Sequence, residues 1–151
     1  MKISLGSDHG GLLLKREIMY LLQEKGYEVD DRGCYREASV DYPDYAELVC
    51  ADVVAGQADR GILVCGTGIG MSIAANKHVG IRAALCHDTF SARATREHND
   101  SNVLCLGQRV IGTGLALDIV SAWLSGEFAG GRHQLRVDKL AKLESTNKNN
   151  R

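Results

Sequence analysis

The chain has 151 residues and a formal net charge of −1, with 44% hydrophobic and 25% charged residues. That length suits one domain with a core of its own, and the near-zero charge gives no global pull toward nucleic acid or an anionic membrane. No apolar run is long enough to cross a bilayer, and Met1–Ser7 turns polar too soon for a signal peptide.

Ile3, Leu5 and Ser7 begin a strand, and Leu12 to Lys25 reads as a helix with Leu14, Ile18, Leu21 and Leu22 on one face, stopped by Gly26. Tyr27–Asp31 is an edge-like strand. Pro43 opens a helix to about Ala55, with Ala46, Val49 and Val53 turned inward. Gly61–Cys65 is a buried strand that runs into a glycine-rich turn and a helix from Met71 to about Lys77. Ile81–Cys86 is a strand, Thr89–His98 a helix, and Val103–Gly107 the fifth strand. Gly112–Ser125 is a helix carrying Leu115, Ile119, Val120 and Trp123, and the last helix runs from about His133 to Glu144. Strands alternating with helices predict a doubly wound, Rossmann-like α/β domain: a five-stranded parallel sheet with helices on both faces. Residues 1–144 form this single domain, and 145–151 a polar, frayed tail.

Five cysteines (Cys34, Cys50, Cys65, Cys86 and Cys105), odd in number and without C-x-x-C spacing, argue against a disulfide framework or a zinc site. They read as free, buried thiols in a reducing, cytoplasmic compartment.

Ligands of doubly wound sheets bind at the carboxyl ends of the strands. The strongest signal there is C65-G-T-G-I-G-M-S72. Its glycines let backbone N–H groups turn inward, and the helix that follows adds the positive end of its dipole, which makes an anion cradle. The same field favours a thiolate at Cys65, on the lip of the cradle; the plainer alternative is a cysteine that ends a buried strand. A dinucleotide fingerprint does not fit, because its third glycine falls on Met71, although Asp88 stands about where a ribose-binding acid would. A P-loop fails because no Gly-Lys-Ser/Thr closes the run.

Asp8 and His9 follow the first strand and offer either acid–base chemistry or a helix cap. His98-Asn99-Asp100 is by itself an ordinary helix end. Arg132 and Arg136, one helical turn apart after Gly130-Gly131, can grip one phosphate with forked hydrogen bonds, and Arg109 beyond the fifth strand is a third candidate. A solvated basic face is the alternative.

These segments together resemble the ribose-5-phosphate isomerase B family, which also holds galactose-6-phosphate and allose-6-phosphate isomerases. The match rests on K2-I-S-L-G-S-D-H-G-G11, D41-Y-P-D-Y45, C65-G-T-G-I-G-M-S-I-A-A-N-K77, G80-I-R-A83, H98-N-D-S-N-V103 and G130-G-R-H-Q-L-R-V137. The resemblance implies an aldose–ketose isomerase that needs no metal and no cofactor. Cys65 would be its base, assisted by Thr67, and the amides of Gly66, Gly68 and Gly70, with Asn99, would hold the enediolate. Asp8 and His98 would open the sugar ring. His9, Arg109, Arg132 and Arg136 would bind phosphate, and Tyr42 would line the sugar pocket. The resemblance also implies a homodimer with shared active sites, the His98–Arg109 segment serving the partner's site; pairing of dimers into tetramers stays an alternative. D-ribose 5-phosphate and D-ribulose 5-phosphate are the expected substrates. The rivals are a six-carbon sugar phosphate and, from another class, a non-catalytic module that binds a nucleotide or sugar phosphate.

Overall fold

The computed structural model describes residues 1–149. Five strands, β1 (Lys2–Ser7), β2 (Glu28–Asp31), β3 (Arg60–Cys65), β4 (Ala83–Leu85) and β5 (Val103–Gly107), form one all-parallel sheet in the order β2-β1-β3-β5-β4. The helices are α1 (Leu12–Glu24), α2 (Tyr42–Val54), α3 (Ile69–Ala75), α4 (Thr89–Asn99), α5 (Thr113–Ser125) and α6 (Arg132–Asn149), and a short 3-10 turn spans His9–Gly11. The doubly wound reading of the sequence holds.

Both faces of the sheet are covered, so each strand is apolar on both sides. Ile3, Leu5, Ile62, Val64, Leu104 and Leu106 pack against α1, α4 and α5 around the fully buried Trp123. The alternate residues Leu63, Cys65, Val103 and Cys105 pack against α2 and α3 through Val49, Cys50, Met71 and Ala75. The strict alternation between faces is what turns Cys65 toward α3 and the glycine loop.

Several boundaries differ from the sequence reading. The fourth strand is shorter than Ile81–Cys86, because the Arg82 N–H goes to the side chain of Asn102 and the Ala83 N–H to that of Asn76, so ladder pairing starts only at Ala83. On α5, Ile119, Val120 and Trp123 are buried and Leu115 is 42% exposed. The last helix continues past Glu144 through Asn149, taking in most of the segment read as a frayed tail; residues 150–151 of that segment lie outside the described residues. All five cysteines are free and buried. Among the described residues no helix is long and apolar enough to cross a membrane.

Candidate active site

The chain leaves β1 for β2 on one side and returns to β3 on the other, so the order of connection reverses between β1 and β3. The carboxyl ends of β1, β3 and β5 are in register there: Ser7 lies beside Val64, and Cys65 beside Gly107. A crevice at such a switch point is where doubly wound sheets bind ligands.

Cys65 ends β3, is 5% exposed, and its Sγ accepts the Gly68 N–H at 3.0 Å. Cysteine sulfur is a weak acceptor, and this amide fixes where it points. Gly68 adopts φ 76°, and a Cβ there would stand 2.5 Å from Leu85 Cδ1 and 2.9 Å from the Leu106 carbonyl carbon, so only glycine fits the turn. Thr67 Oγ1 accepts the Ile69 N–H at 3.3 Å. The N–H groups of Gly66 and Gly70 carry no hydrogen bond among the described residues and line the cradle. The helix expected from Met71 begins instead at Ile69, inside the glycine run, so Gly70 belongs to its first turn.

Burial pushes the thiols of Cys50 and Cys86 up to about 12 and about 11, the latter with help from Asp88. Burial, with the neighbouring thiols, raises Cys105 as well. These three stay protonated near neutrality.

Asp8 is buried, and its Oδ1 accepts the N–H groups of Gly10 and Gly11 at 2.8 and 3.1 Å, so the capping alternative is realised. No described hydrogen bond falls on Oδ2, which leaves that oxygen for a ligand. His9 takes the Val40 N–H on Nδ1 at 3.2 Å. The Tyr42 ring lies against Gly70, where a Cβ would meet it at 2.8 Å. Arg109 lies over the glycine backbone of the same cradle: Cβ atoms built on Gly66 and Gly10 would stand 3.2 and 3.4 Å from its guanidinium nitrogens. The backbone fixes this placement, since Arg109 N–H donates to Gly66 O and Gln108 N–H to Cys65 O, both at 2.9 Å. One chain therefore brings together Asp8, His9, Tyr42, Cys65, Gly66, Thr67, Gly68, Gly70 and Arg109.

His98, Asn99, Arg132 and Arg136 are not part of that group. They sit where α4 ends and α6 begins, at the amino end of the sheet: the Ala129 N–H bonds Glu97 O, and the imidazoles of His98 and His133 stack with centroids 4.3 Å apart. The His98–Arg109 segment thus divides. Its two ends are separated by the length of β5, five residues at about 3.3 Å each, with Arg109 in its own chain's cradle and His98 at the far pole. Burial, then His98, Arg132 and Arg136, push the His133 imidazole below its ordinary value.

Sequence reasoning assigned no role to three residues that the geometry brings forward. His133 stood within a quoted motif, but its stacking partner lies thirty-five positions away. Val40 acts through its backbone alone. Lys15 is 1% exposed on the inward face of α1; its place beside Leu14 and Ile18 was the available signal, because a lysine on an apolar face needs a buried acceptor.

A thiol, free amides and an arginine gathered at the switch point of an α/β domain are suited to an anionic ligand. Comparison with known proteins narrows the class. A ribose/galactose isomerase family model matches residues 3–140. Ribose-5-phosphate isomerase B of Escherichia coli (strain K12) is 51% identical over 143 residues, spanning 95% of this chain and 96% of that protein. The structure of Clostridium thermocellum ribose-5-phosphate isomerase B superposes with a TM-score of 0.96 at 57% identity, covering 97% of this chain and 99% of that one. Mycoplasma genitalium ribose-5-phosphate isomerase B with bound ribulose-5-phosphate gives a TM-score of 0.91 at 42% identity, covering 95% and 96%. The chain belongs to the ribose/galactose isomerase family and is a sugar-phosphate isomerase.

Proposed function

We propose that the chain interconverts D-ribose 5-phosphate and D-ribulose 5-phosphate with Cys65 as the base. The observation that carries this reading is the Cys65 sulfur, met by the Gly68 amide at 3.0 Å on the lip of a cradle of free N–H groups. The thiolate takes the proton from C2 of the open-chain aldose. The electron pair of that C–H bond forms the C1–C2 double bond, and the carbonyl oxygen becomes negative. The amides of Gly66 and Gly70 hold that oxygen, as preorganised donors do best in a partly dry site, while the Gly68 N–H stays on the Cys65 sulfur. A proton passes from O2 to O1 beside Thr67, and the thiol returns its proton to C1, leaving the ketone at C2. Asp8 Oδ2 assists ring opening, Tyr42 walls the sugar, and His9 and Arg109 begin the phosphate site.

A homodimer completes this site. The α4–α6 end of one chain faces the cradle of the other, so that His98 of the partner subunit opens the ring with Asp8, Asn99 of the partner subunit joins the enediolate shell, and the partner's Arg132 and the partner's Arg136 clamp the phosphate. The separation of the two groups along β5 supports such pairing. The free, buried thiols fit a cytoplasmic enzyme.

The test is a panel of ribose 5-phosphate, allose 6-phosphate and galactose 6-phosphate with the purified protein, joined to deuterium incorporation from heavy water into ribulose 5-phosphate at C1. The reading expects exchange and the highest kcat/KM with ribose 5-phosphate. A preference for a hexose phosphate moves the assignment to the six-carbon rival. Binding of sugar phosphates with no exchange at all leaves the non-catalytic module.

A further inference from the structure

We propose that His9 meets the phosphate as an uncharged donor through Nε2, its tautomer fixed by the Val40 amide, and that Lys15 is the positioning residue that holds the segment carrying that amide. The inference rests on the reading of His9 as a phosphate ligand.

A backbone N–H can only donate, so the ring nitrogen facing Val40 at 3.2 Å accepts and carries no proton. In the neutral imidazole the proton then sits on Nε2. No described hydrogen bond falls on Nε2, which leaves its N–H directed away from Val40 for a ligand oxygen. In this form His9 adds one directional hydrogen bond to the phosphate, and the charge is met by the arginines.

The segment bearing Val40 is pinned at its start to the end of β1. The Arg32 N–H donates to Leu5 O at 2.8 Å, the Ser7 N–H to Gly33 O at 2.6 Å, and the Cys34 N–H to Ser7 O at 2.7 Å. Beneath it lies Lys15. Its Nζ donates to Asp31 Oδ1 at 2.6 Å and to Cys34 O at 2.8 Å, and stands 4.9 Å from the centroid of the Tyr35 ring. Asp31 also accepts the Gly33 N–H at 2.9 Å, and its carbonyl accepts the Tyr35 hydroxyl at 2.7 Å. Packing alone would be served by another leucine on this face of α1, and a buried ammonium is costly unless paired. The charge instead ties the first turns of α1 to Asp31 and Cys34, where the chain that leads to Val40 begins.

Ring-nitrogen NMR of the free, 15N-histidine-labelled protein reads the tautomer directly. The expected spectrum shows His9 protonated on Nε2 alone; a proton on Nδ1, or a mixture, overturns the proposal. His9→Gln puts an amide nitrogen near the Nε2 position and His9→Asn near Nδ1, so Gln should stay close to wild type in KM for ribose 5-phosphate. Asn should raise KM about tenfold or more, the scale of one lost hydrogen bond to a charged group. Lys15→Met, alone and with Asp31→Asn to remove the unpaired carboxylate, should release His9 into both tautomers and raise KM more than it lowers kcat. A folded Lys15 variant with the wild-type His9 spectrum overturns the role of Lys15. An Nε2–H spectrum with wild-type KM in both His9 variants overturns the phosphate role instead, and leaves the tautomer standing.

Discussion

The imidazoles of His98 and His133 lie face to face, with ring centroids 4.3 Å apart and planes inclined by 9°. His133 is 8% exposed and its Nδ1 has no hydrogen-bond partner among the described residues. Its value is depressed by burial and then by His98, Arg132 and Arg136. The folded chain therefore keeps His133 neutral at pH values where the unfolded chain, titrating near about 6.5, takes up a proton. The stability this contributes is complete above that pH and declines as pH falls from there through the lower folded value. Urea midpoints measured from neutral to mildly acid pH should fall with acid in the wild type. His133→Phe keeps a ring in the stack and loses the proton site, so it should show a smaller fall; an equal fall removes His133 as the source.

Cys65→Ala should lower turnover by about a hundredfold or more, the usual contribution of a general base, while a competing phosphate ligand binds almost as before. Iodoacetamide should modify Cys65 ahead of Cys50, Cys86 and Cys105, whose thiols burial keeps protonated. Peptide mass spectrometry after brief labelling, with and without substrate, checks the order. Near-wild-type turnover in the alanine variant would end the cysteine mechanism.

Cys65→Ala and His98→Ala should each be inactive as pure proteins and regain activity when their subunits exchange. In a two-fold dimer, random exchange gives about a quarter of all sites both side chains intact. The readout is activity against time of mixing, with exchange followed independently by native mass spectrometry. Exchange without recovery would mean that each chain builds its own site.

Arg136→Ala should raise KM for ribose 5-phosphate by tenfold or more, since a hydrogen bond to a charged group is worth roughly 1.5–3 kcal/mol. Turnover should also fall, because the anchored phosphate keeps the reacting carbons in register. Arg136→Lys should recover little, as a point charge does not replace a fork. The decisive comparison is with free ribose: equal losses on both sugars in a folded protein would place the phosphate elsewhere.

The parts of this molecule that could be read from sequence are those governed by short-range rules. The uncharged run Gly61–Cys65, the helical spacing of Ile119, Val120 and Trp123, and the glycine run after Cys65 each have a local signature. What escaped depends on partners distant in sequence. Lys15 looks out of place on its helix until Asp31 and Cys34 are folded over it, and nothing near His98 announces His133. The N-terminus of α3 shifted because Gly70 can sit in a helical first turn as easily as in a loop. The assignment of Arg109 to the same end as His98 overlooked the fact that a buried strand separates its two flanks by its own length.

The crowding around Gly68, held in a left-handed turn between Leu85 and Leu106, has a bearing on how fast and how tightly the cradle works. A loop pressed between two strands cannot sample many shapes, so its amides keep their aim in the empty protein. The conformational entropy of that turn is lost when the chain folds and is not charged again to each arriving substrate. The geometry awaiting the enediolate is thus a property of the core, and even small changes at Leu85 or Leu106, which press on Gly68 from behind, would blur it.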